Sequence, residues 1–281
     1  MPRTEYTVGM KKILILVGVL VGFGARADWE FLPHSRHQQF LTYGLLDEEE
    51  TGMVFRGGNR AIAELGDSFA LLEASGLPGK PQLVLNGSAQ FSFRGEGSLL
   101  QYYVETFDAR FGLFVEFTLD PQLRAWVGLQ HVSGHTADGL LDPSLAPLNI
   151  SDDDFEVRVV RDIDSHFRFG GTLKLMLGTD PAGKPVDANQ FAEWFPWGEE
   201  PLLGGMQPYV ALGAYEDGVS GYQFTYQGQL GILFGNHFKP EKQQSLRLVM
   251  GVYHGEDPRL KYAQFFNSRV EFFYFGAMLN L

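Results

Sequence analysis

From Phe107 to Phe117 the chain places an apolar residue at every second position, Phe107, Ala109, Phe111, Leu113, Val115 and Phe117, with Asp108, Arg110, Gly112 and Glu116 between them. Only a β-strand sends alternate residues to opposite faces. The same period of two runs through Leu83 to Phe93, Phe167 to Leu177 and Tyr222 to Phe234. Runs of about ten or more residues with one apolar and one polar face have the length of a tilted strand crossing a bilayer. Strands of soluble sheets are usually about five or six residues long. The pattern therefore predicts an all-β fold, an antiparallel transmembrane β-barrel with its apolar side to lipid and its polar side to a lumen; the competing soluble form is a lipocalin-like barrel or a sandwich.

Composition agrees. The chain holds 24 Phe, 11 Tyr and 34 Gly at a mean hydropathy near zero, and after Ala27 it has no apolar run approaching the ~20 residues of a membrane helix. Before that point the segment starting at Met10 reads Met-Lys-Lys, an apolar stretch from Ile13 to Phe23, and Ala25-Arg26-Ala27. This is the three-part layout of a secretory signal peptide, with the true start expected at Met10. Residues 1–27 are expected to be removed, 28–50 to form an irregular N-terminal segment at the periplasmic end, and 51–281 to form the barrel. The chain has no cysteine, so neither a lipoprotein anchor nor disulfides enter.

The formal charge is −12, and it becomes more negative without the leader, which holds Arg3, Lys11, Lys12 and Arg26 against Glu5 alone. An acidic chain lacks the field that neutralises phosphates, so nucleic acid is excluded as a partner. Membrane lipid is the expected partner, together with the outer-membrane assembly machinery that a barrel requires.

Working back from Leu281, strands are expected near 263–281, 244–254, 221–235, 207–216, 185–195, 165–177, 153–163, 121–133, 99–118, 82–94 and 53–65. Single-chain bacterial barrels have an even number of strands, so about 12 are expected, within a range of about 10–14. The missing strand lies within 34–50 or is concealed in a segment read as one. Tyr102, Tyr103, Tyr209 and Tyr215 suit interface girdles, as they would any β core, and "FAEWFPWGEE", 191–200, with its two tryptophans and a proline, suits an interfacial anchor or, alternatively, a substrate-contacting loop. The polar faces carry charges of both signs, Asp108, Arg110, Glu116, Glu156, Arg158, Arg168 and Lys174. These should cross-pair and fill a narrow or plugged lumen, unlike a general porin.

One stretch stands apart. "LQHVSGHTADG", 129–139, gathers His131, Ser133, His135 and Asp138 where an upward strand meets an external loop. His131 and Ser133 share parity with Ala125, Val127 and Leu129, which places them on the lipid side. The plainest reading is a polar rim where a strand leaves the membrane. The alternative is a lipid-ester hydrolase in which His131 is the base for Ser133 and Asp153, at matching parity on the next strand, holds the imidazole. A divalent-ion site on His131, His135 and Asp138 is a third reading. No cofactor is otherwise implied, although Ser151-Asp152-Asp153-Asp154 could add hard oxygen ligands for calcium. A narrow transporter for a small solute remains a further alternative.

The His-x-Ser pair resembles the outer-membrane phospholipase and lipid A deacylase families, barrels in which histidine activates serine toward a lipid ester. Those families usually carry Asn where this chain has Gly134. More of the chain, "FLPHSRHQQFLTYGLL", "HVSGHTADG", "MQPYVALGAY" and "GVYHGEDPRLKYAQFFNSRVEFFYFGAMLNL", resembles a bacterial family known as domain of unknown function 1207. Its core, His-x-Ser-Ser-His-x-x-Asp, is matched by His131, Ser133, His135 and Asp138, with Gly134 replacing the second serine. Gly255, Pro258, Gln264 and Phe265 approximate its C-terminal motif. The resemblance implies a barrel and carries no activity with it.

Overall fold

The computed structural model describes residues 28–37, 43, 51–96, 101–137, 150–180, 183–200, 202, 205–218, 221–235, 245–259 and 268–280. After a three-residue strand β1 (Trp29–Phe31), the chain rises in β2 (Thr51–Arg56) and returns in β3 (Arg60–Ala74). It continues as β4 (Gln82–Gly95), β5 (Tyr102–Asp120), β6 (Leu123–Thr136), β7 (Ile150–Asp162), β8 (Phe167–Asp180) and β9 (Val186–Trp194). The last strands are β10 (Met206–Asp217), β11 (Gln223–Phe234), β12 (Ser245–Glu256) and β13 (Arg269–Asn280). Each of β2 to β13 pairs antiparallel with its neighbours in sequence, and β13 closes the ring on β2, from Tyr274↔Arg56 to Leu279↔Thr51. The result is an antiparallel barrel of 12 strands among the described residues.

The strand missing from the sequence was concealed in 53–65. That segment is the β2–β3 hairpin, turned at Gly57-Gly58-Asn59 with positive φ at Gly58 and Asn59. Glycine and asparagine tolerate that conformation, which matches the twist of a tight hairpin. Residues 34–37 and 43 contribute no strand; the rest of 38–50 lies outside the described residues.

The parity expected from the sequence is the parity of the barrel. Phe69, Phe111, Met250 and Phe275 are among the large apolar residues exposed on the outside, where hydrocarbon is their solvent. Inside, Asp108, Glu116, Glu156, Arg158 and Arg168 are buried. Arg168 meets Glu193 at 3.3 Å, Arg110 meets Glu64 at 3.8 Å and Lys174 meets Glu156 at 3.6 Å. Near the outer rim, at the top of β2–β5, the irregularity in β4–β5 pairing turns Glu105 inward as well as Thr106. There Arg60, Arg94 and Arg259 gather on it.

At the inner rim, where β13 ends, β1 pairs with the end of β3, and the chain then enters the barrel. Gln82 donates to the carbonyl of His34 at 3.0 Å. The His37 ring stacks on Trp126 at 4.8 Å and bonds Glu116, while Trp126 donates to Glu156 at 2.8 Å. Farther along, Tyr43 packs on Tyr209 and Phe195, lies 4.0 Å from the Arg247 guanidinium, and donates its backbone N–H to Glu193 at 2.6 Å.

Tyr209 is therefore an interior residue, 2% exposed, and not part of an interface girdle. Its ring lies across Gly231 on the next strand, where a Cβ would meet ring atoms at 2.3–2.4 Å; Tyr274 covers Gly251 in the same way. These rings fill space that glycine leaves on the pleat. Gly231→Val is expected to cost about 1–3 kcal/mol through overpacking, and so to lower the temperature at which the folded, fast-migrating band is lost on a semi-native gel. Gly228→Val should leave it unchanged, because a Cβ there meets neighbouring side chains only at 3.4 and 3.7 Å.

Candidate active site on the outer face of β6 and β7

The pairing of β6 with β7 sets His131 opposite Asp153 and Ser133 opposite Ser151. On the other side β5 sets Phe111 against His131, Ala109 against Ser133 and Phe107 against His135. Along β6 the inward positions, Trp126, Gln130, Val132 and Gly134, are buried, and His131, Ser133 and His135 stand on the opposite, lipid-facing side. The alternation anticipated for this strand holds to its outer end.

Two hydrogen-bonded pairs form there. His131 Nδ1 lies 2.9 Å from Asp153 Oδ1. A carboxylate accepts, so Nδ1 carries the proton and Nε2 is the basic nitrogen. His135 Nε2 lies 3.2 Å from Ser133 Oγ, and its ring stacks on Phe107 at 5.8 Å. Of the contacts expected from sequence, the structure brings His131 and Asp153 together. It does not pair Ser133 with His131, because the hydroxyl lies on His135, which the sequence had placed only among candidate binding residues. Asp138 lies outside the described residues. Phe107 went unassigned in the sequence, although its outward parity on β5 was readable.

The acidic run divides on the pleat. Asp152 and Asp154 are buried on the lumen side while Asp153 points outward, its side chain 65% exposed. Three successive strand residues cannot pool their carboxylates, and among the described residues no group of three His, Asp or Glu side chains could hold a metal ion.

Gly134 departs from both resemblances for a reason on the inner side of the strand. A Cβ there would lie 3.1 Å from Asp108 Oδ1 and 3.2 Å from Ile150 Cβ, closer than side chains ordinarily approach. The lumen fills the space that Asn or Ser would occupy.

A second imidazole–carboxylate pair lies on the outside of β12–β13, His254 and Glu271 at 3.5 Å, with Tyr226 stacked on the histidine at 4.9 Å. It has an aromatic ring where β6 offers a hydroxyl. Asp164, Ser165 and His166 also come together in the turn between β7 and β8, but there Ser165 at 3.2 Å and Asp164 at 3.8 Å both approach the same ring nitrogen, Nδ1, whereas on β6–β7 the carboxylate and the hydroxyl lie on different imidazoles, within reach of lipid.

No protein-family profile matches the chain and no curated protein matches it in sequence. Solved structures do. The chain is similar to outer membrane phospholipase A from Escherichia coli, with TM-score 0.54 and 14% identity over 86% of this chain and 95% of that one. It is likewise similar to the Salmonella typhi outer membrane phospholipase, solved as a dimer with bound calcium, with TM-score 0.54 and 13% identity over 87% and 96% of the two chains. At such identity the likeness is one of fold, the closed antiparallel β-barrel of outer-membrane proteins. The resemblance to domain of unknown function 1207 rests on its motifs alone.

The orientation of the site has a direct check. Ser133→Cys carrying a fluorophore is expected to be quenched by nitroxide-labelled lipid, and Gln130→Cys, on the lumen face, to be shielded from it. Comparable quenching at both positions would overturn the assignment of faces.

Proposed function

We propose that the barrel hydrolyses acyl esters of membrane lipids on the outer face of β6–β7, with Ser133 as nucleophile, His131 as base and Asp153 as the group that orients it. The observation that carries the reading is the presence of a serine hydroxyl, two imidazoles and a carboxylate on one lipid-facing patch, hydrogen-bonded in pairs. A triad needs a base held by a third group, and the Asp153–His131 bond supplies that half. Ser133 is two residues from either histidine, and its 3.2 Å contact with His135 across the same spacing supports the reading. A change of serine rotamer, on a picosecond-to-nanosecond scale, turns the hydroxyl from His135 toward His131. Unliganded sites often show such looser geometry.

In the reaction, the Ser133 proton passes to His131 Nε2 as Oγ bonds the ester carbonyl carbon. Collapse of the tetrahedral adduct breaks the bond to the lipid alcohol oxygen, which takes the proton from His131 and leaves as lysolipid. Water then gives a proton to His131 and bonds the acyl carbon. The bond to Ser133 breaks, the serine regains the proton, and fatty acid departs. Asp153, accepting from Nδ1–H, keeps the imidazole in the required tautomer and stabilises it while charged.

Fatty-acid release from mixed micelles, with calcium and with chelator in parallel, tests this. Ser133→Ala is expected to abolish release, and His131→Ala to lower it about 10²–10⁴-fold. Asp153→Asn should lower it by a smaller factor, and His135→Ala should keep most of it, with all variants still folded. Activity lost in His135→Ala and kept in His131→Ala would exchange the two histidines; equal release by wild type and Ser133→Ala would end the hydrolase reading.

The lumen is read as closed to general diffusion, supported by the interior packing of His37 and Tyr43 and by the buried ion pairs that line the wall. Planar-bilayer recordings are expected to show no large stable channels. Current dependent on a particular small solute would favour the narrow transporter instead.

A further inference from the structure

The hydrolase reading leaves the lipid head group open, and the neighbouring strand β8 bears on it. Pairing between β7 and β8 runs in step from Asp162↔Arg168 to Asp154↔Met176 and then slips, so that Asp153 faces Gly178 and Ser151 faces Asp180. Leu177 is the extra residue. Below it, the even-numbered residues Arg168, Thr172 and Lys174 point into the lumen. Without the bulge, Asp180 would join them. With it, Asp180 lies on the same outward side as Ser151 and Ser133 and is exposed. A bulge re-aims a side chain in this way, and bulges gather beside functional sites.

The register then aligns Ser133, Ser151 and Asp180 across three successive strands. Neighbouring strands are about 4.8 Å apart, so Asp180 lies roughly 10 Å from the nucleophile, on the scale of the span from an ester carbon through glycerol and phosphate to the ammonium. Asp180 has no side-chain hydrogen bond or ion pair among the described residues. The nearby lysines and arginines are engaged elsewhere. Between Gly95 and Lys184 they are Arg110, Arg124, Arg158, Arg161, Arg168, Lys174 and Lys184; Lys184, four residues beyond Asp180, holds its ammonium over the Tyr222 ring at 4.6 Å. Arg110, Arg158, Arg168 and Lys174 bond Glu64, Thr172, Glu193 and Glu156 inside the barrel. Arg124 and Arg161 belong to the inner rim, at the opposite ends of β6 and β7.

We infer that Ser151 and Asp180 form a head-group subsite selecting phospholipids that end in a cationic amine, with the Ser151 hydroxyl donating to the phosphate and the Asp180 carboxylate receiving the ammonium. Anionic head groups meet a carboxylate there, and the nearby Lys184 is drawn toward Tyr222. Polyphosphorylated glycolipids are the poorest fit of all. The assignment rests on the hydrolase reading, since it places the head group of the lipid whose ester Ser133 attacks.

The test compares fatty-acid release from phosphatidylethanolamine and phosphatidylglycerol of identical acyl chains, in mixed micelles at low salt. The full chain is compared with Asp180→Asn and Asp180→Lys, and heat-modifiable migration confirms that each variant is folded. Wild type should favour the amine lipid about fivefold in kcat/KM, the effect of one charge near a charged surface. Asp180→Asn should bring the ratio close to one and Asp180→Lys should invert it. Equal cleavage of both lipids by wild type, or a ratio that ignores residue 180, overturns the head-group subsite and leaves the hydrolase standing. No cleavage of either lipid overturns both.

Discussion

Hydrocarbon offers no partner to a backbone N–H or C=O, so every strand that crosses a bilayer must be paired along both edges. In this chain the requirement is met by the pairing of β13 with the short strand β2, through which the C-terminal end of the sheet meets its beginning. Once the sheet is closed, each residue has only two directions available, lipid or lumen, and the pleat assigns them alternately. Apolar residues exposed outside and ion pairs buried inside are two consequences of the same closure. Its interior is crowded enough to dictate residue size, which is why Gly231 and Gly251 lie beneath tyrosine rings.

The site on β6–β7 depends on that alternation at every step. His131, Ser133 and His135 reach one patch of lipid-facing surface because they are two residues apart on one strand. Asp153 joins them because it is directly opposite His131, while Asp152 and Asp154 are turned into the lumen by the same pleat. The two sides of the strand also constrain each other. Gly134 is small because Asp108 and Ile150 occupy the inner side, so packing of the lumen limits which residue can follow the serine outside.

What the sequence could reveal follows from the range of the interactions involved. Strand parity is local, so the outward placement of His131 and Ser133 and the inward placement of Asp108 or Arg168 were readable without coordinates. The Gly57-Gly58-Asn59 turn is local too, but it sits between Arg56 and Arg60 inside one longer apolar stretch, and β2 is too short to declare a period of its own. Contacts between distant segments left no such trace. His37 meets Trp126 and Tyr43 meets Tyr209 across the barrel, and nothing in a period of two says that Tyr209 faces inward when its own glycine partner is on another strand. The bulge at Leu177 is likewise invisible to parity, and it reverses the face of Asp180. The preference of Ser133 for His135 over His131 is a matter of side-chain rotamers at equal spacing, which no spacing rule can distinguish.

The central claim is that Ser133 is an activated nucleophile, and covalent capture tests it most directly. The folded barrel in micelles is treated with a long-chain alkyl fluorophosphonate, which phosphonylates activated serines, and digested peptides are read by mass spectrometry. The account predicts a stoichiometric adduct on the peptide containing Ser133, absent from His131→Ala and from protein unfolded by heat. An unmodified Ser133 in the folded wild type, or an adduct formed equally after unfolding, would contradict it.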